Sequence, residues 1–182
     1  DLAVLYFFGR EIHKQIDAPI GLIATSWGGT RIEPWIPPVG FDSQPDLQKE
    51  RDQVKAALEN FAKAPEPKPK HPLNSNGAPT GLYNGMIHPL APFALRGMLW
   101  YQGESNLGNG MRYNTLMKGL IEGWRKVWGQ GEFPFLFVQL APFTYKAKET
   151  ALPEIWEAQT ETLKFPATGM AVTTDITTIK DI

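Results

Sequence analysis

The sequence contains no cysteine, and this absence excludes disulfide bonds, thiolate zinc sites and a cysteine nucleophile. It does not indicate a compartment, because many exported proteins also lack disulfides. An excess of one charge is missing as well, since 18 basic residues stand against 19 acidic ones. Proteins that bind a phosphate backbone usually have a strong basic excess, so we expect no nucleic-acid partner.

Long hydrophobic runs and phosphate-binding glycine motifs are also absent. No apolar stretch approaches the ~20 residues that span a bilayer, so we expect no membrane span. Neither G-x-G-x-x-G nor G-x-x-x-x-G-K-[ST] occurs, which disfavours a nucleotide-binding loop. The three histidines are scattered without paired spacing. We therefore expect neither a metal site nor a cofactor.

The remaining pattern is an alternation of helix and strand that suits one domain of 182 residues. Apolar spacing predicts helices at 3–16, 45–61, 109–128 and 153–163, and apolar runs predict strands at 19–25, 96–101, 134–140 and 170–175. This order predicts an α/β fold with a mainly parallel sheet covered by helices on both faces. Between residues 64 and 80 proline alternates with charge, which predicts an extended surface loop.

Two of the predicted strands end in tips that suit a binding site. The first ends in residues 27–30, Trp-Gly-Gly-Thr, and the second in residues 102–106, Gln-Gly-Glu-Ser-Asn. Ligands of α/β proteins bind at the carboxyl ends of parallel strands, so these tips predict a site.

The second tip is dense in hydrogen-bonding groups. Gln102 or Asn106 could donate an amide N–H to developing negative charge, and Glu104 could orient and charge-balance a histidine. The alternative is a polar turn whose Asn and Ser side chains cap its own backbone. Asn109, shortly after this tip, is a candidate cap for the following helix.

The first tip offers backbone rather than side-chain donors. Gly28 and Gly29 let a ligand approach their N–H groups without a Cβ in the way, although a tight turn with positive φ explains the pair equally simply. Ser26 is a weak candidate nucleophile, because Ala24 replaces one glycine of the nucleophile elbow. A hydroxyl bonded to local backbone is the better-supported alternative for Ser26.

Aromatic residues and one histidine lie close to these tips. Trp27, Trp35, Trp100 and Tyr101 could stack on sugar rings, and core packing explains any single one equally well. His88 lies between apolar residues, a setting in which a histidine is more often part of the core than a catalyst.

Four segments, at residues 7–10, 19–30, 83–90 and 100–106, together resemble the sialate O-acetylesterases, a branch of the SGNH hydrolases. They occur in the same order and at similar separations. The resemblance implies a three-layer α/β/α domain that removes O-acetyl groups from sugars without a metal, with sialic acid as the best-known substrate. The surface loop at 64–80 lies outside this pattern.

The resemblance also implies roles for particular residues. A backbone N–H of Gly28 or Gly29 would help to bind the oxyanion, with Gln102 as the first side-chain donor and Asn106 as the second. Three carboxylates are candidates for the acid partner of the catalytic histidine: Glu104, Asp175 and Asp181. The candidate substrate contacts are Ser26, Trp27, Thr30, Asn84, His88, Trp100, Tyr101 and Ser105.

Two sequence blocks of the family are not found. The nucleophile block, Gly-Gln-Ser-Asn-Met, would precede Asp1, and Asp181-Ile182 resembles the opening of the block that carries the base. The resemblance therefore implies that residues 1–182 are part of an SGNH esterase domain, incomplete at both ends. The serine and the base would come from remaining segments of the same esterase, and the isolated 182 residues would be inactive.

Two other functions are compatible with the sequence. Related SGNH esterases act on acetylated xylan or xyloglucan, and a domain of this fold could also bind carbohydrate without catalysis. The resemblance favours a periplasmic, secreted or lysosomal location.

Overall fold

The fold consists of helices packed around a small parallel sheet. A computed structural model describes residues 2–179 of the protein. The α-helices are α1 (Leu2–Gln15), α2 (Pro38–Asp42), α3 (Gln48–Lys63), α4 (Arg112–Trp128) and α5 (Ala151–Thr162), and the strands are β1 (Met98–Trp100), β2 (Phe135–Val138) and β3 (Thr168–Ala171). Short 3₁₀ helices occur at Glu33–Trp35, Pro45–Leu47, His88–Leu90 and Glu104–Asn109, and a π-helical turn covers Tyr83–Ile87.

The sheet has the order β1-β2-β3, and its strands are parallel. Leu99 pairs with Leu136 across the first strand pair, and Leu136 pairs with Gly169 across the second. α4 connects β1 to β2, and α5 connects β2 to β3. Because such crossovers are right-handed and both run in one direction, the two helices lie on the same face. The amide of Asn114 on α4 donates to the hydroxyl of Thr162 on α5 at 2.9 Å.

A row of aromatic side chains fills the space between α4, the sheet and the 3₁₀ helix at 33–35. Trp35, Trp100, Trp124 and Phe135 contact one another in that order, with ring centroids 6.0, 6.0 and 5.9 Å apart. The indole N–H of Trp124 donates to the carbonyl of Trp35 at 3.0 Å. Buried rings of this size contribute strongly to a hydrophobic core, and this row packs the 3₁₀ helix at 33–35 against α4.

Arg125 of α4 holds the amino ends of two strands. Its guanidinium donates to the carbonyl oxygens of Phe133 at 2.9 Å, Pro166 at 2.8 Å and Ala167 at 3.2 Å. These residues lie one or two positions before the first residue of β2 or β3. Arg125 is buried, so its charge is satisfied by backbone carbonyls instead of water. Arg125 therefore stabilises the sheet at the amino ends of its strands, opposite the end where the candidate site lies.

Among residues 2–179, the exposed or half-buried apolar side chains include two groups on regular elements. The first belongs to α1, whose large apolar side chains are between 37% and 71% exposed at Leu2, Tyr6, Phe7, Phe8 and Ile12. The second is the sheet face opposite α4 and α5, where Leu99, Leu136 and Val138 are only half-buried. Contiguous exposed apolar surface is typical of an interaction site. Among residues 2–179, no helix has both the length and the apolar composition needed to cross a membrane.

The predicted α/β class and the parallel sheet are confirmed, and two predicted strands differ from the structure. The strand predicted at 19–25 is wrong, since this extended segment has no pairing strand in the described part of the chain. A strand forms only where a neighbour satisfies its N–H and C=O groups. The last strand lies earlier than predicted and ends at Ala171. Residues 64–80 contain no α-helix or strand and are mostly exposed.

The close approach of α2 to α4 predicts a specific sensitivity to added volume. A Cβ on Gly40 would lie 2.3 Å from the carbonyl oxygen of Gly119. We expect Gly40→Ala to lower the free energy of unfolding by about 1–3 kcal/mol, the usual cost of overpacking. Urea denaturation measures this change. Gly108→Ala is the matched control, because nothing lies within 4 Å of its added Cβ. Equal stability of the two variants would contradict the tight packing.

Candidate active site

The candidate site forms where the glycine turn, residues 27–30, meets the polar loop, residues 101–109, that follows β1. The side-chain amide of Gln102 donates to the carbonyl of Thr30 at 3.0 Å. The hydroxyl of Ser105 donates to the carbonyl of Gly29 at 3.0 Å. These two hydrogen bonds hold the two predicted tips side by side.

Asn106 lies at the centre of this contact and is fully buried. Its side-chain oxygen accepts from the backbone N–H of Ile32 at 2.9 Å and from the amide of Gln102 at 2.8 Å. Its nitrogen donates to the carboxylate of Glu33 at 3.0 Å. A buried side chain with these partners cannot reach a substrate, so the predicted role of Asn106 as a second oxyanion donor does not fit the structure.

An ion pair between Arg31 and Glu33 extends the network toward solvent. One nitrogen of the guanidinium donates to Glu33 and to the side-chain oxygen of Asn109, each at 2.8 Å. The other terminal nitrogen donates to the carbonyl of Ser105 at 2.8 Å. Asn109 is therefore not a helix cap, as its side chain binds Arg31 and α4 begins only at Arg112.

The Glu33 carboxylate is held in its charged form by its neighbours. Burial acts to raise the pKa of Glu33, but the hydrogen bonds from Arg31 and Asn106 outweigh it and hold the pKa below the ordinary value. The charged carboxylate is therefore a stable part of the network at neutral pH.

Tyr113 and Trp100 form the buried floor below the polar loop. The hydroxyl of Tyr113 lies 2.9 Å from the backbone carbonyl and 3.0 Å from the side-chain oxygen of Gln102, and it donates toward both. The indole N–H of Trp100 donates to the same hydroxyl at 3.3 Å. Burial raises the pKa of Tyr113, so the hydroxyl keeps its proton. The predicted contact of Trp100 with a substrate is wrong, because this side chain is buried in the core.

Gln102 is fully engaged inside the protein. Its two amide hydrogens go to Thr30 and Asn106, and its side-chain oxygen accepts from Tyr113. In this arrangement no N–H of the side chain is left for an oxyanion. The geometry therefore assigns Gln102 a positioning role between the glycine turn and the polar loop, in place of the predicted direct donor role.

The glycine turn presents free backbone donors. Gly28 and Gly29 are exposed, and Gly29 has a φ of +73°, a conformation that glycine adopts readily. In the described part of the chain neither N–H has a protein acceptor. The Thr30 hydroxyl donates to the carbonyl of Trp27 at 2.8 Å and accepts from Trp35 at 3.1 Å. The Thr30 hydroxyl therefore stabilises the turn through hydrogen bonds within the protein.

Several predicted substrate contacts have accessible side chains. Ser26, Trp27, Asn84 and His88 are exposed, and Tyr101 is at the exposed end of β1. Placing His88 in the core is wrong, since its side chain is exposed while the neighbouring Ile87 is buried. The hydroxyl of Ser105, in contrast, is used by the glycine turn.

Asn84 and His88 are carried by an unusual turn. Asn84 lies in the π-helical turn at 83–87, a geometry found frequently at functional sites. Nδ1 of His88 is 3.3 Å from the hydroxyl of Tyr83. Thr80 precedes this turn with a φ of +68° and donates its N–H to the carbonyl of Glu33 at 3.2 Å. This bond connects the π-helical turn to the network of the site.

The candidate acids differ in their relation to the site. Glu104 is exposed in the polar loop, and its carboxylate accepts from the N–H of Gly103 at 3.1 Å. Asp175 is exposed and lies four residues after the end of β3. Asp181 lies outside the described residues. Within residues 2–179, no cluster of three or more histidine and carboxylate side chains could hold a metal ion.

Sequence reasoning missed the residues that support the site from within. Arg31 and Glu33 directly follow the glycine turn, and two opposite charges at this position are a signal for an ion pair. Tyr113 is a further such residue, and it lies in the buried apolar stripe of α4. A tyrosine in a buried stripe needs a partner for its hydroxyl, which indicates a polar group facing that helix.

Comparison with known proteins gives one consistent result. The family described as "Carbohydrate esterase, sialic acid-specific acetylesterase" matches residues 2–182. The human sialate O-acetylesterase is 36% identical over 189 residues, and the mouse protein of the same name is 34% identical over 203 residues. The crystal structure of a carbohydrate acetylesterase from Xanthomonas citri is similar with a TM-score of 0.72 and 34% identity, over 95% of this chain.

The chain is shorter than these relatives. It covers 33% of the human protein, 37% of the mouse protein and 34% of the Xanthomonas chain, while 95% to 96% of its own length is matched. The chain thus spans about a third of the length of the proteins it resembles.

The ion pair of Glu33 predicts an acid-sensitive contribution to stability. The folded-state pKa lies below the ordinary 4.5, so the pair stabilises the protein above that pH, and this contribution is lost as the pH falls through the folded-state pKa. We expect Glu33→Gln to lower the melting temperature at about pH 7 and to lose less stability than the wild type toward about pH 3. The control is Glu59→Gln on the exposed side of α3. Parallel pH profiles for wild type and Glu33→Gln would contradict the prediction.

Proposed function

We propose that this chain, which belongs to the family of sialic acid-specific carbohydrate acetylesterases, forms part of the catalytic site of a carbohydrate O-acetylesterase. The observation that carries the proposal is the free N–H pair of Gly28 and Gly29 on a turn braced by buried hydrogen bonds. Backbone donors held in this way suit the oxyanion formed during acyl transfer, because they need no reorganisation in the transition state.

The proposed reaction is ester hydrolysis through an acetyl-enzyme. A serine oxygen bonds to the acetyl carbonyl carbon while a histidine takes the serine proton, and the carbonyl electron pair moves to oxygen to give the oxyanion. Collapse of this intermediate breaks the bond to the sugar oxygen, which receives the proton from histidine. Water then hydrolyses the acetyl-serine, and acetate leaves. Gly28 and Gly29 stabilise the oxyanion in both halves of the reaction.

We place the serine and the histidine in segments of the same protein outside residues 1–182. The two missing sequence blocks and the one-third coverage of the relatives support this placement. The same segments would cover the exposed apolar face of α1 and the uncovered sheet face, which completes the three-layer domain. On this proposal residues 1–182 are a partial domain with 64–80 as its surface loop, and alone they are inactive.

The remaining site residues have proposed roles that follow from their exposure. The carboxylate that orients the histidine is Glu104, Asp175 or Asp181. The side chains proposed to contact the substrate are Ser26, Trp27, Asn84, His88 and Tyr101. Thr30 and Ser105 act indirectly, since their hydroxyls hold the glycine turn.

The names of the curated relatives favour O-acetyl sialic acid as the substrate. An esterase for acetylated xylan or xyloglucan is the alternative, since the Xanthomonas relative is described more broadly as a carbohydrate acetylesterase. A carbohydrate-binding protein without catalysis is the third possibility and would bind glycans without releasing acetate. The family relationship favours a periplasmic, secreted or lysosomal location.

Acetate release by the whole protein that contains this chain tests the function, and Gly29→Ala tests the glycine turn. A side chain at φ +73° strains the turn and displaces its N–H groups, although nothing lies within 4 Å of the new Cβ. We expect kcat on an O-acetylated sugar to fall about 10- to 100-fold with little change in KM.

The control for Gly29→Ala is Gly131→Ala. Gly131 has a φ of +72° and equally open surroundings, but it lies on the loop before β2, at the amino ends of the strands. The two variants share the backbone strain, so only the first should lose kcat. A similar kcat in both variants would contradict the role of the turn, and glycan binding without acetate release would favour the non-catalytic alternative.

Gln102→Ala distinguishes a positioning role from a direct one. Removal of the amide takes the side-chain donor from the Thr30 carbonyl and one of the two donors from the Asn106 side-chain oxygen, so we expect the free energy of unfolding to fall by about 1–3 kcal/mol together with kcat. Gln48→Ala on the exposed face of α3 is the control. A large loss of kcat at unchanged stability would instead identify Gln102 as the oxyanion donor.

A further inference from the structure

Three aromatic side chains lie on the segments that follow β1 and β2, two of them exposed and the third, Tyr145, half-buried against the core. Tyr101 directly follows β1, and Phe143 and Tyr145 lie in the segment after β2. The rings of Phe143 and Tyr145 meet edge to face with centroids 5.2 Å apart, and the hydroxyl of Tyr145 donates to the carbonyl of Ala141 at 3.2 Å. Tyr101 is 36% exposed and Phe143 is 40% exposed. We call Tyr101, Phe143 and Tyr145 the aromatic platform.

The aromatic platform adjoins the polar loop of the candidate site. β1 and β2 are neighbours in the sheet, so the segments after them leave it side by side. A Cβ placed on Gly103 would lie 3.4 Å from the side chain of Leu140, which shows that the two segments pack together. Burial, with smaller effects of Glu104 and Tyr101, raises the pKa of Tyr145 to about 12. The hydroxyl of Tyr145 therefore keeps its proton at neutral pH.

The charge around the aromatic platform is balanced. Glu104 and Lys146 are exposed and carry opposite formal charges on the two segments. Lys148, further along, pairs with Glu154 at 2.7 Å. Arg31 on the other side of the polar loop pairs with Glu33. An anionic group at the platform thus meets no surplus of positive charge from these residues.

We propose that the aromatic platform is a subsite for an uncharged sugar ring of the acetylated glycan. The proposal rests on the esterase function proposed above and adds a determinant of which carbohydrate is accepted. The C–H face of a sugar ring stacks on the exposed faces of Tyr101 and Phe143. Glu104 and the hydroxyl of Tyr101 can exchange hydrogen bonds with the sugar hydroxyls. The ring bound here need not carry the acetyl group that is cleaved beside the glycine turn.

Phe143→Ala in the whole protein tests the subsite. Loss of one stacking ring is expected to raise KM for a neutral acetylated xylo-oligosaccharide about 3- to 10-fold, with kcat nearly unchanged. KM for 4-nitrophenyl acetate, which has no sugar ring, should not change. Phe143→Tyr keeps the ring and should behave as the wild type. Phe93→Ala is the matched control, since this exposed phenylalanine precedes β1 at the amino end of the sheet.

The possible outcomes separate the subsite from the esterase function. An active Phe143→Ala variant with unchanged KM for the oligosaccharide overturns the subsite. An equal rise in KM for O-acetyl sialic acid as a free monosaccharide overturns its preference for an uncharged ring. If the wild type hydrolyses none of these esters, the esterase function fails. Calorimetric binding of the deacetylated oligosaccharide to wild type and Phe143→Ala then decides the subsite, because weaker binding by the variant supports it and equal or absent binding overturns it.

Discussion

The buried side chain of Asn106 is the interaction on which the candidate site depends. It joins the backbone of Ile32 to Gln102 and Glu33, and its bond to Ile32 closes a separation of 74 residues along the chain. An unpaired buried polar group costs about 1–3 kcal/mol, so neither segment can shift without breaking several bonds. The shape of the glycine turn is therefore fixed by hydrogen bonds in which each partner is specified, whereas apolar contacts alone would allow it to slide.

Different groups hold the glycine turn in place and face the solvent. The side chains of Gln102 and Arg31 are bonded within the protein, whereas the glycine turn presents backbone N–H groups to solvent. This division has a physical reason, because a side-chain donor that also braced a loop would have to give up one hydrogen bond to make another. Backbone N–H groups of Gly28 and Gly29 have no such competing partner in the described residues.

Sequence periodicity correctly predicted α4 and β2, whose packing partners lie within the described residues. α4 and β2 agree with their apolar patterns because the sheet and the helices that bury them lie within the described residues. The segment at 19–25 has an equally apolar pattern but no strand to pair with among residues 2–179, and the pattern alone cannot show this. In the site, the position of both tips at the ends of predicted parallel strands predicted that the amides of Gln102 and Asn106 lie close to the glycine turn. It could not show which hydrogens are already used, because this depends on distances between segments far apart in sequence.

The amino ends and the carboxyl ends of the strands are held by different interactions. At the amino ends of the strands, one guanidinium from Arg125 ties three carbonyl oxygens that belong to the backbone and not to side chains. These hydrogen bonds do not depend on which side chains occupy those positions. They also lie at the opposite end of the strands from the loops that follow them. Loops at the opposite edge can therefore exchange residues, lengthen or be replaced over evolution while the sheet beneath them stays intact. A scaffold of this kind permits new binding specificities to arise by loop variation alone.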